Sequence, residues 1–194
     1  MKFIKVFIFI VLLVPTAASA ADRSTFFLSA GYNHNLMFTT DSSLSAGDGG
    51  NVSFGGGYGF FIEPGYQGSG RWGVYAPLRF TYHNRPSEGG IWYFGININP
   101  IVKFFVEPKK GWDPYFAFGA GVIKLSEGDV VDSTSAWGIN GNVAIGFDYH
   151  FNNSVALKFE VPYYYILFIG DNLSSGTTGV HSSPISLGVT WKFQ

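Results

Sequence analysis

His181-Ser182-Ser183 sets a histidine and a serine two residues apart. On one face of an extended strand, that spacing lets an imidazole draw the proton from a hydroxyl nucleophile. Acyl transfer by such a pair also needs a third group to orient the imidazole. Pro184 follows the serine directly, and the nearest strand carboxylate, Glu160, has the parity of the opposite face. The pair is therefore read as turn-favouring rim residues. The acid-serine dipeptides Asp41-Ser42 and Asp132-Ser133, the first with His34 nearby, fall in polar connecting stretches where such dipeptides are ordinary. Asp41, Asp48, Glu88, Glu127, Asp129, Asp132 and Asp171 lack calcium-loop spacing and read as a solvated face. The glycine run at 55–57 precedes no helix and makes no phosphate loop. The chain has no cysteine, hence no disulfide or thiolate chemistry. No catalytic, cofactor-binding or metal-binding residue is expected.

A second set of charged residues is more regular. Glu63, Arg79, Lys103, Asp148, Lys158 and Glu160, with His83 and His150, all fall on the polar face of segments that alternate strictly between apolar and polar. The segment Gly89–Glu107 shows the pattern. Trp92, Phe94, Ile96, Ile98, Val102 and Phe104 alternate with Tyr93, Gly95, Asn97, Asn99 and Lys103. Eight such segments follow one another: Thr25–Asn33, Val52–Gly65, Trp72–Asn84, Gly89–Glu107, Pro114–Ser126, Trp137–His150, Val155–Phe168 and Pro184–Phe193. In the fifth both faces are apolar or small, and Phe116, Phe118, Ala120 and Val122 are assigned outward. The segments run well beyond the usual strand of about 5 or 6 residues.

The ends of the chain and its composition identify the solvent such strands need. Lys2 and Lys5, the apolar run Phe7 to Val14 and the small residues up to Ala21 have the form of a secretory signal peptide. The expected boundaries are a signal at 1–20, with cleavage after 21 also possible, and one domain at 21–194. The whole chain has a formal charge of −1 and becomes more acidic once Lys2 and Lys5 are removed. Nothing favours nucleic acid. Aromatic residues reach 19% while charged ones are 13%, and no later window is long and apolar enough for a spanning helix.

An exported, greasy chain of two-faced strands has to close on itself in a bilayer, because backbone groups in hydrocarbon must all be paired. The expected fold is all-β, a closed eight-stranded antiparallel up-and-down transmembrane barrel. Short turns follow segments two, four and six. Mostly longer, polar connections follow the others, the rhythm of periplasmic turns and extracellular loops. A soluble barrel of the lipocalin kind would reverse the two faces and carry far more Lys and Glu outside. The charged inner residues should pair and fill the lumen. Asp148 and Lys158 are expected to meet across the turn at Asn152–Ser154, and Arg79 to lie between Glu63 and Glu160.

Three passages carry a resemblance. Asp113-Pro114-Tyr115-Phe116-Ala117-Phe118-Gly119-Ala120-Gly121-Val122, the terminal Leu187-Gly188-Val189-Thr190-Trp191-Lys192-Phe193 and Ser29-Ala30-Gly31-Tyr32 resemble strands of the small eight-stranded outer-membrane barrels, the superfamily that holds the OmpA transmembrane domain, OmpX and OmpW. The terminal passage resembles the β-signal read by the barrel-assembly machinery, although Gln194 follows its aromatic. The resemblance implies a monomer in the outer membrane, in contact with its lipid and lipopolysaccharide, with a structural or surface role. For the acidic loop residues, bridging to lipopolysaccharide through divalent cations is the alternative to a solvated face. The resemblance implies no enzyme and no cofactor. Two alternatives stay open. One is a lipid-A-modifying hydrolase or acyltransferase, since His181 and Ser183 loosely resemble the His-x-Ser element of lipid A deacylase barrels. The other is a narrow OmpW-like channel for small hydrophobic compounds.

Overall fold

The computed structural model describes residues 24–39, 56–85, 89–104, 111–127, 134–169 and 177–193. The strands are β1 (Thr25–Thr39), β2 (Gly57–Gln67), β3 (Trp72–Tyr75), β4 (Leu78–Arg85), β5 (Gly89–Lys103), β6 (Trp112–Glu127), β7 (Thr134–His150), β8 (Val155–Ile169) and β9 (Thr177–Phe193). Consecutive strands pair antiparallel except β3 and β4, which each pair with β2 and β5, and β1 pairs with β9 from Phe26↔Phe193 to Thr39↔Val180. The sheet thus closes on itself, the arrangement by which a barrel removes its edges.

β3 and β4 are two halves of one stave. Gly65 pairs with Tyr75 and Ile62 with Leu78, so the register runs through the break unchanged. The interruption falls at Ala76-Pro77, where proline has no N–H to give. Ala76 N still donates to Pro64 O at 2.9 Å, and Pro77 O accepts from Asn97 N at 3.1 Å. The wall is therefore closed across the gap and has eight staves.

The strands overrun several sequence boundaries. The first continues to Thr39, the fifth begins at Trp112 and the eighth starts at Thr177. The added stretches are rich in Ser, Thr, Asn and His. Such residues interrupt an apolar pattern yet pair as strands once neighbouring staves offer partners. The fourth segment ends earlier, at Lys103. The expected leader, Val52 to Gly55, and Asp41, Asp48, Glu88, Asp129, Asp132 and Asp171 lie outside the described residues.

The two faces of the wall sort as the alternation requires. Ile98 and Ile145 are 66% and 63% exposed on the outside. Phe60, Phe80 and Phe94 form an outward ladder with ring centroids 4.7 Å apart at each step. Phe116, Phe118 and Val122 also face outward, which fixes the phase of the fifth segment. Fifteen-residue staves, tilted as barrels demand, rise roughly 35–40 Å, taller than an apolar band of about 25 Å. Aromatics gather towards its margins: Tyr58, Tyr82, Trp92, Trp137 and Tyr165 near the loop end, and Trp72, Phe104, Trp112, Phe151 and Trp191 near the end that holds both termini.

Candidate functional site

The lumen of an eight-stave barrel is just wide enough to be filled by side chains. Glycines on its inner face set where large ones can lie. A Cβ on Gly146 would stand 2.5 Å from the Tyr115 ring, and one on Gly188 would stand 2.6 Å from Phe61. Each absent side chain leaves room for an aromatic from another stave. The interior is thus packed by exchange between neighbours.

Charge is arranged in two layers. In the central one the Arg79 guanidinium, carried by β4, lies between Glu63 of β2 and Glu160 of β8. Its Nη2 is 2.9 Å from Glu63 Oε1 and 2.6 Å from Glu160 Oε1, and Nη1 donates to Ser186 Oγ at 2.6 Å. Lys158 contacts the other Glu63 oxygen and lies 3.3 Å from Glu160 Oε2. That same Glu160 oxygen accepts the hydroxyls of Tyr75 and Tyr115, each at 2.8 Å. The Lys158 ammonium also stands 4.6 Å from the Tyr75 ring centroid. Two carboxylates and two cations cancel, and Glu63 and Glu160 are completely shielded from solvent. Only this degree of pairing makes burial of so many ions tolerable.

The second layer lies near the terminal end. Lys103 bonds Asp113 and sits 3.0 Å from Asp148 Oδ2. His150 Nε2 is 3.4 Å from Asp113 Oδ2, and Lys192 Nζ is 3.4 Å from His150 Nε2. One expected pairing is corrected here. Asp148 and Lys158 are register partners, yet their charges part. Asp148 joins Lys103 and Lys158 joins Glu63, because each finds its partner across the lumen instead of along the wall. The sequence pattern starts the fifth strand at Pro114 and so leaves Asp113 out, whereas the strand begins at Trp112. The parity of Asp113, shared with Tyr115 and Ala117, was the available signal. Asp113, Asp148 and His150 bring ligand atoms within 4.8 Å of one another, but the Lys103 ammonium already bonds both carboxylates.

Between the charges and the loop end the polar face becomes neutral. Asn99 donates to Asn142 Oδ1 at 3.0 Å and Asn142 returns a bond at 3.2 Å. Asn97 bonds Asn140, Asn33 donates to Thr81 at 2.9 Å, and Ser182 donates to Asn35 at 2.7 Å. His83 Nε2 stands 3.3 Å from Asn35 Nδ2. On the other side of the upper lumen Ile91, Tyr93, Ile123, Tyr164, Ile166, Phe168 and Val180 make an apolar cluster. No sequence pattern foretold it, since these residues occupy the face read as polar.

His181 and Ser183 stand on β9 with outward parity, inside the strand and not in a loop. The Ser183 hydroxyl donates to the Pro162 carbonyl at 3.2 Å. His181 Nδ1 meets the Tyr163 hydroxyl, and its ring lies 5.1 Å from that of Tyr165. Glu160 is on the opposite side of the wall. The serine proton is thus committed to a backbone carbonyl, and the imidazole is flanked by phenols with no carboxylate from Glu160.

Comparison with known proteins agrees with this architecture. The family described as outer membrane protein beta-barrel domain matches residues 7–193. Among solved structures, Neisserial surface protein A superposes with a TM-score of 0.66 at 19% identity, covering 89% of this chain and 100% of that one. The outer membrane protein AlkL gives 0.58 at 15% identity, with 91% and 93% covered. Ail, the attachment invasion locus protein of Yersinia pestis, in complex with the heparin analogue sucrose octasulfate, gives 0.57 at 17% identity, with 88% and 99% covered. At such identities the likeness is one of fold. A search of curated protein sequences finds no match.

Proposed function

We propose, from the premise that this chain belongs to the outer membrane protein beta-barrel family, that it is a closed, non-conducting wall protein that works through its lipid-facing and surface-exposed faces. One observation carries the reading: the Glu63–Arg79–Glu160–Lys158 cluster spans the lumen between β2, β4 and β8 and is shut off from solvent. An ion would have to break several buried pairs to pass, each break costing about 3–5 kcal/mol. The end with both termini and the turns at 68–71 and 151–154 is periplasmic, and the end bearing the connections 40–56, 86–88, 128–133 and 170–176 faces outward. A leader at 1–20 directs export, the β9 terminus engages the assembly machinery, and the chain acts as a monomer without cofactor. Lipopolysaccharide is its outer-leaflet neighbour.

The apolar cluster around Ile91, Tyr93 and Phe168 favours a second reading, a lateral or upper-lumen route for small hydrophobic compounds. The charge layers beneath it make a through-channel the weaker choice. Lipid A hydrolysis is disfavoured because Ser183 and His181 are engaged elsewhere. Protein reconstituted in planar bilayers should give only rare, small current events, and lipid A from cells with and without the protein should carry the same acyl chains by mass spectrometry. Stable large conductance would overturn the closed-lumen reading. A change of one acyl chain that Ser183→Ala abolishes would make the protein an enzyme.

A further inference from the structure

Among the described residues, the lipid-facing side of the wall carries a single formally charged side chain of the Asp, Glu, Lys or Arg type. β6 presents Phe116, Phe118, Ala120, Val122 and then this residue, Lys124, on its outer face. Among the described side chains no carboxylate lies within ion-pair distance of it. A lysine on this face costs about 2–4 kcal/mol at the bilayer midplane and about 0–1 kcal/mol near an interface. Its position agrees with the cheaper case, because β6 ends at Glu127 and Lys124 stands at the level of the loop-end aromatics. The butyl stem can lie along the wall while the ammonium reaches the headgroups.

Its surroundings are specific. Across β7 its register partner is Trp137, whose ring centroid is 5.7 Å from the ammonium. Across β5 it is flanked by Phe94. Ser126, the next outward residue on β6, pairs with Trp92. A cation thus sits between Trp137 on one side and Phe94 on the other, with Ser126 one step nearer the loop end and Trp92 diagonal to it across β5. An indole face orients the ammonium but leaves its charge uncancelled.

We propose that Lys124, with Trp137, Trp92 and Ser126, forms an outer-leaflet subsite for the phosphate of a lipid A headgroup. The assignment rests on the reading that the barrel sits in the outer membrane with its loop end outward. The occupant follows from depth and charge. At the aromatic margin of the outer leaflet the available anion is a lipid phosphate, and its acyl chains would run down the Val122 and Ile139 surface below.

Native mass spectrometry of the full chain in detergent, titrated with phosphorylated lipid A, tests it. One lysine near a headgroup should make lipid A binding about fivefold tighter. Lys124→Met should lose that factor, Lys124→Arg should keep it, and dephosphorylated lipid A should bind wild-type protein as weakly as phosphorylated lipid A binds Lys124→Met. Equal binding by wild type and Lys124→Met, or inorganic phosphate competing as strongly as lipid A itself, would overturn the proposal. Heat-modifiable migration of each variant after insertion into phosphatidylcholine vesicles reports folding in a bilayer separately. Failure of wild type there would strike at the membrane reading, not at the subsite.

Discussion

Each charge in the lumen matters through the ions its side chain reaches, not through its register partner on the next strand. Lys103 holds Asp148 and Asp113, whereas Lys158 holds Glu63 and Glu160. A double-mutant cycle on Lys103 and Asp148 should therefore return a coupling of about 1–3 kcal/mol, while one on Asp148 and Lys158 should stay under about 0.5 kcal/mol. Urea unfolding in lipid vesicles measures both. Removing Asp148 alone leaves Lys103 with Asp113, so that single variant should be milder than Glu160→Ala. The latter strips Arg79, Lys158 and two tyrosine hydroxyls of an acceptor. A stronger Asp148–Lys158 coupling would mean that register, not reach, selects the pairs.

At the scale of the strand, the two faces obey opposite solvents. The middle of β7 shows this: Ile145 faces outward, and its neighbours Ala144 and Gly146 face the packed interior. Ile145→Arg should cost about 2–4 kcal/mol in a bilayer, the depth-dependent penalty for a charge near the midplane. The same substitution in a soluble barrel of reversed polarity would be close to neutral at that exposure. Unfolding titrations in phospholipid vesicles decide between them.

The whole molecule depends on the seam between the first and last strands. β1 and β9 are the most distant in sequence, and their pairing runs from Phe26↔Phe193 to Thr39↔Val180. Ser29 and Thr190 add a side-chain bond of 2.8 Å across the seam inside the lumen. Closure is the last long-range contact the chain can make, yet in hydrocarbon an open edge is not tolerated. Backbone amides of β1 in the membrane-spanning part should therefore exchange with deuterium as slowly as those of β7 and β8. Fast exchange confined to β1 and β9 would show an open sheet.

Alternation along the chain was enough to determine the class of fold, the count of staves and which residues face lipid, because a strand has a period of two and one face meets hydrocarbon everywhere. The same parity placed Glu63, Arg79, Lys103, Asp148, Lys158 and Glu160 inside. Strand ends were less legible: Asp113, His181 and Ser183 join strands only because neighbouring staves extend to meet them. The break at Pro77 was invisible as a break, since its parity is unperturbed. Who pairs with whom was decided by the tertiary structure alone. Ring order, stagger and side-chain reach bring Lys158 to Glu63 and gather inward Ile91, Ile123 and Ile166 into one apolar cluster. Parity tells a side chain which way to point, but only the closed barrel sets what it meets on the other side.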